Sequence, residues 1–429
     1  MYTPQRLFGE VQASSDILTH EPFLERARLQ REQSEDGAAR LALGAYVVAR
    51  LIDKLLSLAA GASDVEAFRW QLEAVRRHVS DLPQDAPETA HLAGIVAAIP
   101  ANEPPSPGLW KSLNAYAYFL EQENRLEESL EMLTLAARAQ GAKASLADFT
   151  SYALFAGRLN RQLARWDTAS RCYRAAEEVG LNTGDQVAKL RGRLGQGAVD
   201  RGRGNLPLAR ETAQDVIREA TESGLPDVLA IAYADLGTAY DRLGQPLEAL
   251  EAQYEAFKFT HDPQLRMRAL GDVGCFLRGV GAVEAARVAF TIVTQSSASV
   301  LVRVNAHLEL MDLEADNGNR VGFQRCRAAA EEYESRMAPS MLVDYYYKLA
   351  SGLARFGQAL RGEEVLRTAL ALAEKHQLNS WYFKVERALE EFAKPPEHPA
   401  IDERALFSSE PAVRQIEDEL REYAATSAD

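Results

Sequence analysis

The side chains best suited to act as nucleophiles, bases or metal ligands are few and scattered. Three cysteines, Cys172, Cys275 and Cys326, lie far apart in the chain. Their odd number and wide spacing give no disulfide framework and no Cys-x-x-Cys pair, and they suit a reducing compartment. Cys172 and Cys275 fall at helical positions where a small buried apolar side chain is expected. The histidines His20, His78, His91, His261, His307, His376 and His398 occupy different segments, and no His-Glu-x-x-His pair links any two of them. No Gly-x-x-x-x-Gly-Lys-Ser/Thr loop is present to cradle a nucleotide phosphate. Gly192, Gly195, Gly197, Gly202 and Gly204 form a glycine-rich run, but their order is wrong for a dinucleotide fingerprint and no strand precedes them. Close helix packing and turns explain them better. The expectation is a protein without a catalytic constellation, cofactor or metal, which works by binding.

The elements that must position any binding residues are helical. The chain has 429 residues, long for a single compact core, so several domains or one extended array are expected. Ala, Leu, Glu and Arg recur throughout, and alternating Val/Ile/Thr runs are scarce, which predicts helix and little or no sheet. With 47% hydrophobic and 26% charged residues the chain is a folding one rather than a disordered one. A net charge of −14 repels nucleic-acid phosphate and anionic lipid, so general nucleic-acid binding is not expected. Met1 to Glu10 lacks a basic cluster followed by an apolar core, and the most apolar stretch, Ala38 to Ala60, carries Arg40, Arg50, Asp53 and Lys54. Neither a signal peptide nor a membrane span is expected, and a cytoplasmic location is the default.

One pattern then repeats. Between Ile231 and Phe257 stand Tyr233, Leu236-Gly237, Tyr240, Gly244, Ala249, Tyr254 and Ala256. Large residues recur at helical spacing, Gly237 sits where two helices must approach closely, Gly244 marks a turn, and Ala249 lets a second helix pack on the first. The same stations are held upstream by Gln196-Gly197, Gly204, Ala209 and Val216, by Ala156-Gly157, Asn160, Ala164, Ala169, Tyr173 and Ala176, and by Tyr116-Ala117, Leu120, Asn124, Ser129, Leu133 and Ala136. Downstream they are held by Val273-Gly274, Leu277, Gly281, Ala286, Phe290 and Val293, by Leu310-Met311, Gly318, Phe323 and Ala330, and by Leu349-Ala350, Leu353, Gly357, Leu366 and Ala369. In the sixth copy Phe323 replaces the small residue, which leaves its register open by a residue or two. The pattern resembles the tetratricopeptide repeat. It covers roughly residues 110–376 in about seven units, spaced about 37–40 residues apart against about 34 for the usual unit. The resemblance implies an all-α, right-handed superhelical solenoid of helical hairpins, whose stacking buries the face that a lone hairpin leaves wet.

The flanks divide the rest. Residues 1–108 read as an N-terminal helical cap and linker, with helices near 37–60, 64–80 and 86–99, a capping box at Ser63-Asp-Val-Glu66 and a Pro104-Pro105-Ser-Pro107 linker. An effector module is the other reading of this segment. The solenoid occupies 109–378, and a capping helix follows at 379–394. Residues 395–429 read as a flexible linker and a short amphipathic helix over 412–425, either docked on its own solenoid or offered to a partner.

The resemblance also implies a binding face, because in this family the inward side of each hairpin's first helix supplies ligand contacts. Those stations here are Lys111, Asn114, Tyr118, Arg158, Arg161, Gln162, Arg191, Arg201, Arg242, Arg268 and Arg278. Arginine forks match carboxylate and phosphate groups, so a protein or peptide partner of acidic or phosphorylated character would suit such a ladder. Pairing of these arginines with Asp200, Asp235, Asp241 and Asp272 is the competing reading. Two functions follow: an interaction scaffold or adaptor gripping an extended, acidic peptide segment, or a ligand- or peptide-responsive regulatory protein acting through the N-terminal helices.

Overall fold

Helix-forming composition broken at regular intervals by a residue that can adopt positive φ is the local rule behind this fold. The computed structural model describes residues 20–32, 36–59, 65–99, 107–140, 144–334, 337–376, 378–392, 407 and 409–426. Among them every regular element is a helix, and no helix is long and apolar enough to cross a membrane. The expected capping box at Ser63–Glu66, most of the expected linker before Pro107, and residues 393–406 lie outside the described residues.

Two compact units divide the chain, Met1–Arg203 and Gly204–Asp429. The first holds α1 (Glu21–Glu32), α2 (Asp36–Ala59), α3 (Val65–Ser80), α4 (Pro87–Ala98), α5 (Pro107–Gln122), α6 (Leu126–Gln140), α7 (Leu146–Gln162), α8 (Trp166–Thr183) and α9 (Gln186–Gly202). The second holds α10 (Leu206–Glu222), α11 (Pro226–Arg242), α12 (Pro246–Phe259), α13 (Pro263–Gly279), α14 (Val283–Gln295), α15 (Val300–Asp316), α16 (Arg320–Glu331), α17 (Pro339–Arg355), α18 (Ala359–Lys375), α19 (Asn379–Phe392) and α20 (Pro411–Thr426). Within each unit successive helices pack as hairpins stacked on their neighbours. The one helix absent from the sequence reading is α1. It has few apolar residues, and only Phe23 carries it into the core.

The turn stations of the repeat are positive-φ residues. Gly244 (φ 74), Gly281, Gly318 and Gly357 close the hairpins α11/α12, α13/α14, α15/α16 and α17/α18, while Asn124 (φ 57) and Ala164 (φ 55) do the same for α5/α6 and α7/α8. A Cβ in this region clashes with the following carbonyl, so Ala164 carries strain that Gly244 avoids. Close-approach stations also hold: a Cβ on Gly157 would lie 2.8 Å from the Tyr173 ring, one on Gly274 2.6 Å from the Phe290 ring and one on Gly237 3.1 Å from the Ala249 carbonyl oxygen, and the glycine run is packed closely too. A Cβ on Gly192 would lie 2.5 Å from the Glu177 backbone nitrogen, and one on Gly195 would lie 2.0 Å from the Tyr173 ring. The glycine run therefore seats α9 against α8. Arg193, out of place as an apolar station, reaches Glu177 at 3.4 Å.

The sixth copy departs for a reason visible only in three dimensions. Phe323 is fully buried, and a Cβ on Gly352 of α17 would come within 2.2 Å of its ring. The oversized residue on one hairpin is accommodated by a missing side chain on the next.

A buried charge network ties the N-terminal helices to the first hairpin. Glu88 of α4 accepts hydrogen bonds from the Tyr116 hydroxyl (2.5 Å), Arg125 (2.8 Å) and Arg26 (3.0 Å), and Glu128 takes Arg125 (2.6 Å) and lies 3.3 Å from Arg26. Burial alone would push the Glu88 carboxyl up; the charges of Arg125 and Arg26, with hydrogen bonds from Arg125 and Tyr116, outweigh it and hold the pKa at about 2. A carboxylate held this low stabilises the fold above its ordinary pKa of 4.5, and that contribution is lost as pH falls from there toward 2.

Two outcomes are expected. Urea unfolding of Ala164→Gly should show a gain of about 1 kcal/mol and of Gly244→Ala a loss of similar size, since only the sign of the Cβ change differs. Glu88→Gln should destabilise unit 1 at pH 7 by about 3–5 kcal/mol, because it leaves buried arginine charge unpaired, and the gap from wild type should close toward pH 2. A constant gap across that range would contradict the assignment.

Candidate binding face

In unit 1 the first helices of successive hairpins present one side-chain stripe each. On α5, Lys111, Asn114 and Tyr118 recur every three or four residues and so share a face. On α7, Phe155, Arg158 and Gln162 do the same. The two stripes meet: the Tyr118 ring stacks on Phe155 with centroids 4.2 Å apart and planes at 20°. The Arg158 guanidinium lies 4.7 Å from the Phe155 centroid and 5.5 Å from that of Tyr118. Its Nε and Nη2 each donate to Glu121 at 2.7 Å, and Gln162 donates to the same carboxylate at 3.2 Å. Burial would weaken the arginine charge, but the hydrogen bonds and charge of Glu121 more than offset it, so its pKa is raised. Tyr118 remains 46% exposed. The result is an ordered aromatic ledge with a fixed cation beside it.

The polar residues around this ledge are less engaged. Lys111 and Arg191 are exposed and Arg161 is half-buried; among the described residues none of the three makes an ion pair. The Asn114 carbonyl oxygen Oδ1 and the Arg161 Nε are buried and make no hydrogen bond within the described protein. Arg201 has interactions of its own.

Unit 2 carries the remaining stations on a different kind of surface. Arg278 of α13 donates to Asp312 (2.7 Å), to Glu309 (3.5 Å) and to Asp316, all on α15. Arg355 of α17 pairs with Asp312 and Asp316, and Lys348 of α17 with Glu309 (2.5 Å) and Asp344 (2.8 Å). Lys384 of α19 sits between Tyr347 and Trp381, 4.4 and 4.3 Å from their centroids. This face is a lattice of alternating charge over three first helices, satisfied within itself. Arg268 is exposed and faces Asp272, and Arg242 has partners of its own. Asp272 reaches solvent yet is walled in by protein. Burial raises its pKa, Arg268 opposes and Glu309 adds to the rise, for a value of about 6.

The ladder of eleven residues therefore falls into two chemically different parts. Arg158 and Arg278 do pair, with Glu121, Glu309, Asp312 and Asp316 on neighbouring first helices, and Asp272 lies beside Arg268. Glu309, Asp312 and Asp316 are spaced three and four apart, a one-face acidic stripe that the sequence displays but that the arginine-centred reading passed over. Phe155 and Glu121 were missed because their role depends on a contact between hairpins. Cys275 corrects an expectation: it is exposed, sharing its face with Asp272 and Arg278, whereas Cys172 is buried as expected. Burial pushes the Cys172 thiol up to about 12 and Cys326 to about 11; Cys275, which reaches solvent yet is walled in by protein beside the Glu309 and Asp272 charges, is pushed higher still, so none of these thiols ionises readily at neutral pH. Among the described residues no group of three or more His, Cys, Asp or Glu could hold a metal ion.

No protein-family model and no curated protein matches the chain. Solved structures similar to it include the apo form of the quorum sensor NprR from B. thuringiensis, at 13% identity and a TM-score of 0.48, covering 82% of this chain and 97% of that one. A Rap protein complexed with competence and sporulation factor matches at 11% identity and a TM-score of 0.43, covering 84% and 98%. Aspartyl phosphate phosphatase F from Bacillus subtilis matches at 9% identity and 0.43, covering 83% and 97%.

The raised Asp272 carboxyl gives a pH test. A carboxylate whose folded pKa exceeds its ordinary 3.8 costs stability as pH rises from 3.8 through about 6. Asp272→Asn should therefore raise the urea midpoint of unit 2 at pH 7.5 and leave it unchanged at pH 3.5. A midpoint lowered at pH 7.5 would show that Asp272 is a stabilising partner of Arg268 instead.

Proposed function

We propose that this chain is a tetratricopeptide-type interaction scaffold that grips an extended polypeptide segment along its first-helix faces and catalyses no reaction. The observation that carries this reading is the ledge of Tyr118 on Phe155 with Arg158 clamped by Glu121. An aromatic ring that is both exposed and already ordered loses little entropy on binding, and Tyr and Arg are the side chains that most often dominate interfaces. The charge preference narrows with the division of the ladder. Lys111, Arg161 and Arg191 favour an acidic or phosphorylated segment on unit 1, whereas Arg278 is already neutralised.

The regulatory reading draws on one further feature. Tyr116, two residues before Tyr118 on α5, belongs to the buried network that holds α1 and α4. A ligand that shifts α5 would act on Glu88 and so on the N-terminal helices.

Capture of partners from source lysate should separate these readings from a passive fold. Tyr118→Ala and Arg161→Glu/Arg191→Glu are each expected to lower retention of the same partner at least tenfold, while Arg171→Glu on the exposed side of α8 leaves it unchanged. A partner retained equally by all four proteins would remove the ledge as the site. If the regulatory reading holds, partner capture by the wild type should alter hydrogen exchange in α1, and Glu88→Gln should abolish that change without loss of capture.

A further inference from the structure

Helix α20 does not extend the stack. Whereas α19 packs on α18, α20 packs on α12 and α14. Its apolar residues Val413, Ile416 and Leu420, with the half-buried Tyr423, recur at three and four positions and form one stripe. The first three are buried among Tyr254, Phe257, Ala289 and Val293. The Tyr254 hydroxyl donates to Glu419 at 2.7 Å, the Tyr423 ring meets Phe257 edge-on at 5.6 Å, and the Arg266 guanidinium lies over both rings at 4.8 and 5.5 Å.

Three observations set this contact apart from the rest of unit 2. The walls of the groove are the hairpins α11/α12 and α13/α14, whose helices pack on one another locally in sequence. The opposite side of α20, with Arg414, Gln415, Asp418, Arg421 and Glu422, is exposed. Open clefts flank the helix on both sides, one lined by Tyr233, Tyr240 and Gln415, the other by Met267, Val288 and Ile292. Helices within the stack have neighbours in sequence on both sides, whereas α20 packs on α12 and α14, far from it in the chain.

We propose that the groove formed by α12, α13 and α14 is a helix-acceptor site, separate from the first-helix faces, with the chain's own α20 as its exchangeable occupant. α20 leaves and returns while unit 2 stays folded. The site takes an amphipathic helix with aliphatic residues spaced three and four apart, a carboxylate directly before the third to meet Tyr254, and an aromatic three residues after it to meet Phe257 and Arg266. Because α20 spans two successive hairpins, its docking also pins their spacing.

The test uses the full chain carrying Ile416→Glu/Leu420→Glu and a fluorescent peptide of residues 409–426. The peptide is expected to bind this variant at least tenfold more tightly than wild type, whose groove is filled, and to lose binding when it carries the same two substitutions. Equal binding to both proteins, or none to the folded variant, overturns the proposal. Hydrogen exchange on unmodified wild type serves if the variant misfolds: α20 amides should exchange at least tenfold faster than those of α12 and α14. Exchange of all three at one rate would make α20 an integral part of the core. Concentration-dependent dimers of wild type whose α20 crosslinks to a second copy would overturn the intramolecular occupant.

Discussion

The close approach of paired helices at a residue with little or no side chain is the contact on which this structure depends. A hairpin of two helices cannot bury both of its faces; it must lend one to the next hairpin, and the whole series works only if each pair sits close enough to leave no gap. Gly195 against the Tyr173 ring, Gly274 against Phe290 and Gly237 against the Ala249 carbonyl are the places where that distance is set. Once the helices are fixed there, the side chains of their outer turns have no freedom to choose partners. The stacking of Tyr118 on Phe155 and the chelation of Arg278 by the acids of α15 are consequences of helix spacing rather than causes of it.

The same spacing explains why two stretches of one repeat pattern became different surfaces. In unit 1 the neighbouring first helices bring aromatic rings and a single carboxylate to Arg158, so that cation is clamped while Lys111, Arg161 and Arg191 make no ion pair among the described residues. In unit 2 they bring Glu309, Asp312, Asp316 and Asp344 together with Arg278, Lys348 and Arg355, and the charges satisfy one another. A self-satisfied charge lattice gives rigidity and fixes register, and it offers little to a ligand unless a stronger partner replaces an internal one. Basic side chains without an ion pair therefore concentrate on unit 1, where the neighbouring first helices bring fewer acids.

Much of the fold was legible in the chain. The positive-φ turn residues, the glycine contacts, the helices near 36–59, 65–80 and 87–98, and the terminal helices over Asn379–Phe392 and Pro411–Thr426 all follow from spacing and residue type. Helix α1 was not, because a helix that enters the core through Phe23 alone has no apolar period to detect. The candidate face was legible only as a list of positions. Which arginines would find an acid depends on residues about forty positions away, such as Glu121 for Arg158 and Asp316 for Arg278. The buried network around Glu88 was also invisible, since a lone Glu in a short helix gives no sign that two arginines converge on it.

Phe323 and Gly352 carry a consequence for how such an array can change its length. Where a hairpin meets its successor through small residues, a duplicate inserted between them would find a compatible surface on either side. The α15/α16 hairpin instead carries a bulky ring that fits only a successor bare at one place. The residue of α15 at the station of Gly352 is Leu313. A tandem copy of this hairpin would set the ring of the first against the leucine of the second. At this joint, as at that of Tyr173 against Gly195, the members of the array have a fixed order.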